Sequence, residues 1–582
     1  MATTIDSGLF RNPNRDLVVN IKGTKKPVSD DYAYPKQDWF WTGKRPVFGE
    51  CPGVAEDGHM TSLPLPDVSE VSACIFPLVL STCCDVHCLH KVECFARTKH
   101  SLNECTATVQ KGTRQQLLDY FDNTWTLTEV LFSGLQVSVQ TSALSWFPFS
   151  PHKRLDKGQE SLAQQLVRSM PSWLLPCSRV CSVSSNDVYM RYSNILQGRE
   201  VFLRSPWHQL RHPLIFYYGH VAALYINKLR VAGLIKDPVD EELEQIVETG
   251  VDEMSWDDLS KNDMEWPDLR RITEYRRTVY GIVKNLILDG DWSFPIRIND
   301  PAWALIMGYE HERIHLETSS VLIRELPAHL VTLPAQFPKY HPSAFDGSSG
   351  RKVQNEMLSV EAGEVHLGKP HDFRSFGWDN EYGTRSAQVA GFTASKFLIT
   401  NGEFLEFVRA GGYGNRAYWT EAGWQWRVFR NIHFPTFWCP DGPVGLHQYK
   451  MRAIFDVIDL PLSWPVDVNV HEAKAYCAWK TLQDKPQHPY RLITENEHNM
   501  LRDASTRDLA LGAARDPVMV QTGSQMASRK GAQYNSNLAW GSQSPVDALA
   551  PSSTGFHDVF GNAWHWTEDD FNMLDGFEVR AR

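Results

Sequence analysis

Residues 300–326 read D-P-A-W-A-L-I-M-G-Y-E-H-E-R-I-H-L-E-T-S-S-V-L-I-R-E-L, and the reading of this stretch decides the fold. Asp300 can cap a helix, Pro301 suits its first turn and Pro327 stops it. Wound as a helix, Ala304, Gly308, His311, His315, Thr318 and Leu322 share one face, the inward seam expected of a bundle helix. The two small residues on that seam let a neighbouring helix come close. His311 and His315 are one turn apart and project from the same side, so each ring can turn a nitrogen toward one point. That arrangement suits one metal ion. The alternative is a pair of core histidines bonded to backbone or water.

The run His311-Glu312-Arg313-Ile314-His315 also matches the H-E-x-x-H signature of zinc peptidases, with Glu312 as general base. Only three positions of that signature are fixed. One peptidase type needs a Gly and a third His shortly after it, and Leu316 to Ser320 supplies neither. The other type needs a Glu ligand from a following helix, whereas Pro327 leads into a Pro-rich loop. A third ligand is therefore expected from a neighbouring bundle helix.

Moving outward, 582 residues are too many for one core, so two or more domains are expected. Hydrophobic content of 42% and charged content of 22% are those of a globular protein. A net charge of -11 without a long basic run argues against nucleic acid or anionic membrane as the main partner. Residues 71–80 form too short an apolar run to span a bilayer, and Asn227, Lys228 and Arg230 interrupt the apolar stretch 214–235. A cytoplasmic protein is expected, with its 11 cysteines mostly reduced.

Residues 1–71 are rich in Pro, Asp, Gly and aromatics and read as an extended arm or a partly disordered leader. Residues 72–108 hold Cys74, Cys83, Cys84, Cys88, Cys94 and Cys105 at no recognisable finger spacing. Helical periodicity returns at 113–132, fails through 137–197, and resumes at 213–234, where Tyr217, His220, Leu224 and Val231 share a face. His220, a third histidine on an apolar face, is the candidate for the missing ligand. Helices at 267–288 and 301–326 complete a four-helix bundle spanning 109–332, interrupted at 137–197. Residues 333–355 read as a linker. Beyond it, 356–582 change to short strands, turns and many tryptophans, with helices at 401–410 and 470–482: an α+β domain dense in loops.

The paired histidines of H-E-R-I-H-L-E-T (311–318), with His220 in L-R-H-P-L-I-F-Y-Y-G-H (210–220), resemble the DinB-like bundle of the ergothioneine and ovothiol sulfoxide synthases. The second part resembles the formylglycine-generating-enzyme fold, which is C-type-lectin-like. The matching runs are F-G-W-D-N-E (376–381), I-T-N-G-E-F-L-E-F-V (399–408), P-V-D-V-N-V-H-E-A-K-A-Y-C-A-W (465–479), R-L-I-T-E-N-E (491–497) and G-N-A-W-H-W-T-E-D (561–569). G-V-D-E-M-S-W-D-D (250–258) and H-E-R-I-H-L-E-T-S-S-V-L-I-R-E-L-P (311–327) are similar to the ovothiol branch, 5-histidylcysteine sulfoxide synthase.

The resemblance implies Fe(2+) held by His220, His311 and His315. It implies L-cysteine, L-histidine and O2 as substrates, joined into a sulfoxide between cysteine sulfur and a histidine ring carbon. Ile314 stands where the ergothioneine relatives are expected to carry Gln, which fits a plain-histidine substrate. Segments 72–108 and 137–197 look like insertions absent from the family and resemble translated intron. The family continues past the position of Arg582 with an active-site tyrosine, so that tyrosine is expected beyond Arg582. Without it, iron binding with mainly thiol oxidation is the expected behaviour. A zinc peptidase using Glu312 and a non-catalytic binding protein are the competing readings.

Overall fold

The computed structural model describes residues 42, 44–48, 102–135, 201–207, 211–248, 265–293, 296, 298–368, 376–506, 535–536, 538–552 and 554–577. The expected insertion 137–197 lies outside the described residues, as do most of the arm 1–71 and of the insertion 72–108. Among the described residues, four long helices make the first half: α1 (Leu102–Ser133), α2 (Leu214–Val231), α4 (Leu269–Asp289) and α5 (Trp303–Glu325), with a short α3 (Glu241–Glu248) between α2 and α4. α5 packs on α2 and on α1, and α4 closes the other side of both. Their apolar faces form one buried cluster that includes Phe121, Trp125, Ile215, Tyr225, Val279 and Tyr309.

Local chemistry explains the boundaries. α2 is apolar on nearly every side, so it runs buried through the middle of the cluster. α4 starts where Asp268 accepts a hydrogen bond from the Arg271 amide at 2.8 Å. α5 departs from the sequence reading at its start. Asp300 and Pro301 form a turn, Ala302 occupies the cap position without a side-chain cap, and the helix runs from Trp303. At the far end it stops before Pro327, as expected. α1 begins earlier than its periodicity predicts, inside the segment taken as an insertion. Val231, placed on the inward face of α2 by its spacing, is 54% exposed in the last turn.

The described part of the N-terminal arm lies along α1. Thr42 shares a hydrogen bond with Thr126 at 2.9 Å, and the Val47 amide donates to Asn123 Oδ1 at 2.9 Å. The second half carries small antiparallel sheets: β1 (Met357–Val360) with β4 (Phe392–Ser395), β2 (Gly363–Leu367) with β3 (Arg385–Val389), and the three-stranded meander β5 (Trp438–Pro440), β6 (Tyr449–Arg452), β7 (Val457–Asp459). Helices α6 (Asn401–Arg409), α7 (Glu421–Arg430), α8 (Val470–Asp484) and α9 (Glu495–Thr506) are set among them. Two of the quoted motifs are helix starts. Thr400 and Glu403 form a capping box on α6, and Asn469 and Glu472 form another on α8. A second buried cluster, rich in aromatics such as Phe404, Trp438, Trp464 and Tyr476, sits beneath these helices and the meander.

Candidate metal centre

His220 comes from the buried middle of α2, and His311 and His315 come from successive turns of α5. The structure brings all three together. Each offers a ring nitrogen, and the three nitrogens lie within 4.8 Å of one another. His220 is 2% exposed, its ring 5.0 Å from that of His311 and 4.9 Å from that of His315. The close approach of the two helices depends on Gly308, one turn before His311. A methyl group there would meet Tyr225 of α2 at 2.3 Å, so only glycine admits the tyrosine ring.

The rings are individually set. His220 Nδ1 lies 2.9 Å from the Val247 carbonyl in the last turn of α3. A carbonyl only accepts, so Nδ1 carries the proton and the Nε2 lone pair points away from α3. That carbonyl is one of the helix-end acceptors left without an intrahelical donor, which gives the short α3 a purpose in the site. Gly219 beside His220 makes room for the contact, since a Cβ there would sit 2.9 Å from Val247 Cγ1. Tyr217 walls the other side, its ring 5.8 Å from His315. The Thr318 hydroxyl is 3.4 Å from His315 Nδ1.

The donor set fits a cation. His311 Nε2 and His315 Nε2 are 3.1 Å apart. Two nitrogens at right angles on a cation with bonds of about 2.1 Å stand about 3 Å apart. Burial drives the His311 imidazole well below its ordinary range, and its two histidine neighbours add to that effect. Burial likewise brings His315 down to about 3, with His220 contributing. Both rings are thus neutral and hold a lone pair. His311 Nδ1 is buried without a hydrogen-bond partner, so the protein does not anchor this ring as it anchors His220. A cation shared by three imidazoles would anchor it.

Glu312, the other fixed residue of the H-E-x-x-H run, is turned elsewhere. It is fully buried, accepts a hydrogen bond from the Tyr225 hydroxyl at 2.9 Å and lies 3.5 Å from Arg276 Nη2. On the open side of α5, Ile314 is 41% and Val321 42% exposed. There Trp564 Nε1, from G-N-A-W-H-W, donates to Glu317 Oε2 at 2.7 Å. A tryptophan 247 positions further along the chain therefore reaches the helix that carries two of the histidines. Sequence reasoning missed the Val247 carbonyl, because backbone acceptors leave no mark on composition. It also missed Arg276, although an arginine among Ile272, Tyr275 and Val279 was a visible break in an apolar face.

Residues 345–581 match the sulfatase-modifying factor enzyme 1-like domain. The chain is 28% identical over 211 residues to ergothioneine biosynthesis protein 1 of Neurospora crassa, covering 34% of this chain and 24% of that protein. It is 29% identical over 304 residues to hercynine oxygenase of Mycolicibacterium smegmatis, covering 48% and 59%. Ergothioneine biosynthesis protein 1 of Schizosaccharomyces pombe matches over a longer stretch, 444 residues at 23% identity, 70% of this chain and 49% of that protein. The chain thus spans between about a quarter and three fifths of the length of these relatives.

Proposed function

We propose that this chain, a member of the family of ergothioneine- and ovothiol-type sulfoxide synthases, is an iron(II)- and O2-dependent 5-histidylcysteine sulfoxide synthase. The convergence of His220, His311 and His315 from two helices onto one point is the observation that carries the reading. In it, residues 109–332 are a DinB-like bundle and 356–582 a formylglycine-generating-enzyme-like domain, with 333–355 between them. The substrates are L-cysteine, L-histidine and O2. Their sum balances as one thiol, one ring C–H and one O2 giving the S–C bond, the sulfoxide oxygen and one water. A cytoplasmic setting accords with Cys477 being a free thiol.

Iron(II) bound by the three imidazoles would supply redox chemistry with O2 and leave coordination positions open for both substrates. The chain's own residues do the rest. The Val247 carbonyl holds His220 in one tautomer and one orientation. Tyr217, buried and packed on His315, limits water on that side. Fixing thiol and imidazole next to each other removes much of the entropic barrier to joining them. Ile314, 41% exposed, stands where the ergothioneine relatives are expected to carry Gln, which fits a plain-histidine substrate.

The peptidase alternative asks Glu312 to face the metal and a water. Its carboxylate is instead engaged with Tyr225 and Arg276 inside the core. To test the proposal, the anaerobically purified chain is loaded with Fe(II) and given both amino acids and O2. Oxygen uptake that depends on histidine, and a mass equal to the two amino acids less two hydrogens plus one oxygen, are expected. Uptake with cysteine alone, yielding cysteine sulfinate whether or not histidine is present, would overturn the joining reaction.

A further inference from the structure

The ligands come from only two helices, so their meeting depends on how α2 and α5 are rotated about their axes. A shift of one residue turns a helix by about 100° and carries a side chain off the facing seam. Apolar packing alone tolerates such repacking, because any side chain of similar volume fills the same space. The bundle core, however, contains a polar network that does not. Arg276 of α4, fully buried, donates through Nε to Glu129 Oε1 of α1 at 2.8 Å and through Nη1 to the Tyr218 carbonyl of α2 at 3.0 Å. Its guanidinium lies over the Trp125 ring at 4.2 Å. The Tyr218 hydroxyl donates to Glu129 Oε2 at 2.9 Å, and Arg276 Nη2 reaches toward Glu312 Oε1 of α5 at 3.5 Å. A direct hydrogen bond between the two ligand-bearing helices runs from the Tyr225 hydroxyl to Glu312 Oε2, 2.9 Å, made possible by the gap over Gly308.

We infer that this network fixes the rotation of α2 against α5, and that Tyr225 and Glu312 are positioning residues for the three-histidine site. Glu312 follows His311 directly, and Tyr225 lies five residues beyond His220. Any rotation that moved a ligand off the meeting point would pull Glu312 from Tyr225 and Arg276, leaving a charge buried without its partners. That is among the costliest states a core can hold. The second fixed residue of H-E-x-x-H therefore acts on the metal through geometry rather than as a base. This inference rests on the metal reading above.

The test uses Co(II) alone as the probe, titrated into the full chain, with affinity and ligand-field spectrum as readouts and far-UV dichroism as the control for folding. Tyr225→Phe removes one hydroxyl and leaves the volume, so it is expected to fold. It should weaken Co(II) binding about tenfold and shift the visible bands. Glu312→Gln keeps an acceptor for Tyr225 and should stay within about threefold of wild type, whereas Glu312→Ala should lose more than Tyr225→Phe. Wild-type affinity and an unchanged spectrum in Tyr225→Phe would overturn the positioning role while leaving the metal site standing. So would a Glu312→Gln protein with unaltered Co(II) binding but no turnover, because Glu312 would then be a chemical participant. Wild-type protein that takes up no Co(II) would overturn the metal reading and this inference together.

Discussion

His311 and His315 sit on α5 without carrying the helix. Each is partly buried, and the side chains that hold α5 in the core are Leu305, Tyr309, Leu316 and Ile323. His311→Ala and His315→Ala should therefore each abolish metal binding and leave helix content near wild type, since each creates only a modest cavity. Loss of the helical dichroism signal in both variants would instead make the histidines structural. Gly308→Ala is the complementary case: its new methyl would overlap the Tyr225 ring, at a cost of about 1–3 kcal/mol. A Tm equal to wild type would show that the ring has room to move. That His311 and His315 share one face was legible, because a four-residue spacing on a helix is a geometric statement; His220 was reached separately, as a histidine on the apolar face of another helix. The inward orientation of Glu312 was not, because the same residues also spell a peptidase signature. What turns it inward is the Tyr225 hydroxyl, 87 residues away in the chain, together with Arg276 of another helix.

At the scale of elements, α5 is gripped along its length by the second half of the chain. Phe376 of F-G-W-D-N-E stacks on Trp303 at its first turn, with ring centroids 5.2 Å apart. At its last turn Arg452 of β6, 1% exposed, directs Nη2 at the carbonyls of Ile323 and Leu326, at 3.4 and 3.3 Å. These are helix-end carbonyls, and a cation there also complements the helix dipole. Arg324 returns the contact, donating to the Arg452 carbonyl at 2.9 Å and pairing with Asp467 at 2.9 Å. Arg452→Met keeps the volume and removes the donors. It should cost about 1–3 kcal/mol per buried carbonyl left unpaired, seen as a lower urea midpoint. An unchanged midpoint would mean that water takes over the carbonyls. The four long helices could be read from period and stop signals. The eight-residue α3 was not, since E-E-L-E-Q-I-V-E offers two turns and three acidic residues at its start. α7 also escaped, because Gly423 and three aromatics interrupt its pattern and Gly423 is its one buried residue.

Across the whole molecule, several carboxyls are buried where burial outweighs their partners. Burial raises Glu472 to about 7 against the Tyr413 and Asn469 hydrogen bonds, and Asp558 to about 7 against Asn562. Asp122 rises to about 6 for the same reason, opposed by Tyr280. A folded-state pKa above the unfolded value stabilises the fold below the unfolded pKa. That stability is lost as pH rises through the folded pKa. Glu472→Gln removes one such group, so the variant should gain on wild type between pH 5 and 8, by on the order of 3 kcal/mol at most. A difference in stability that stays flat over that range would mean Glu472 is ionised in the folded protein at pH 5.

The overall order, helices first and a tryptophan-dense mixed region after, was plain from the change of period near residue 333. The contacts that bind the two halves were not, because Arg452, Phe376 and Trp564 reach α5 from sequence positions that carry no local sign of it. The most direct measurement of the central claim is metal content per chain, by mass spectrometry, after anaerobic purification and Fe(II) loading. Wild type, His220→Ala, His311→Ala and His315→Ala are compared side by side. One iron per chain in wild type and under a tenth of that in each variant, with helix content unchanged, is the predicted result. Stoichiometric zinc with no iron in wild type, or full iron retention in His220→Ala, would contradict it.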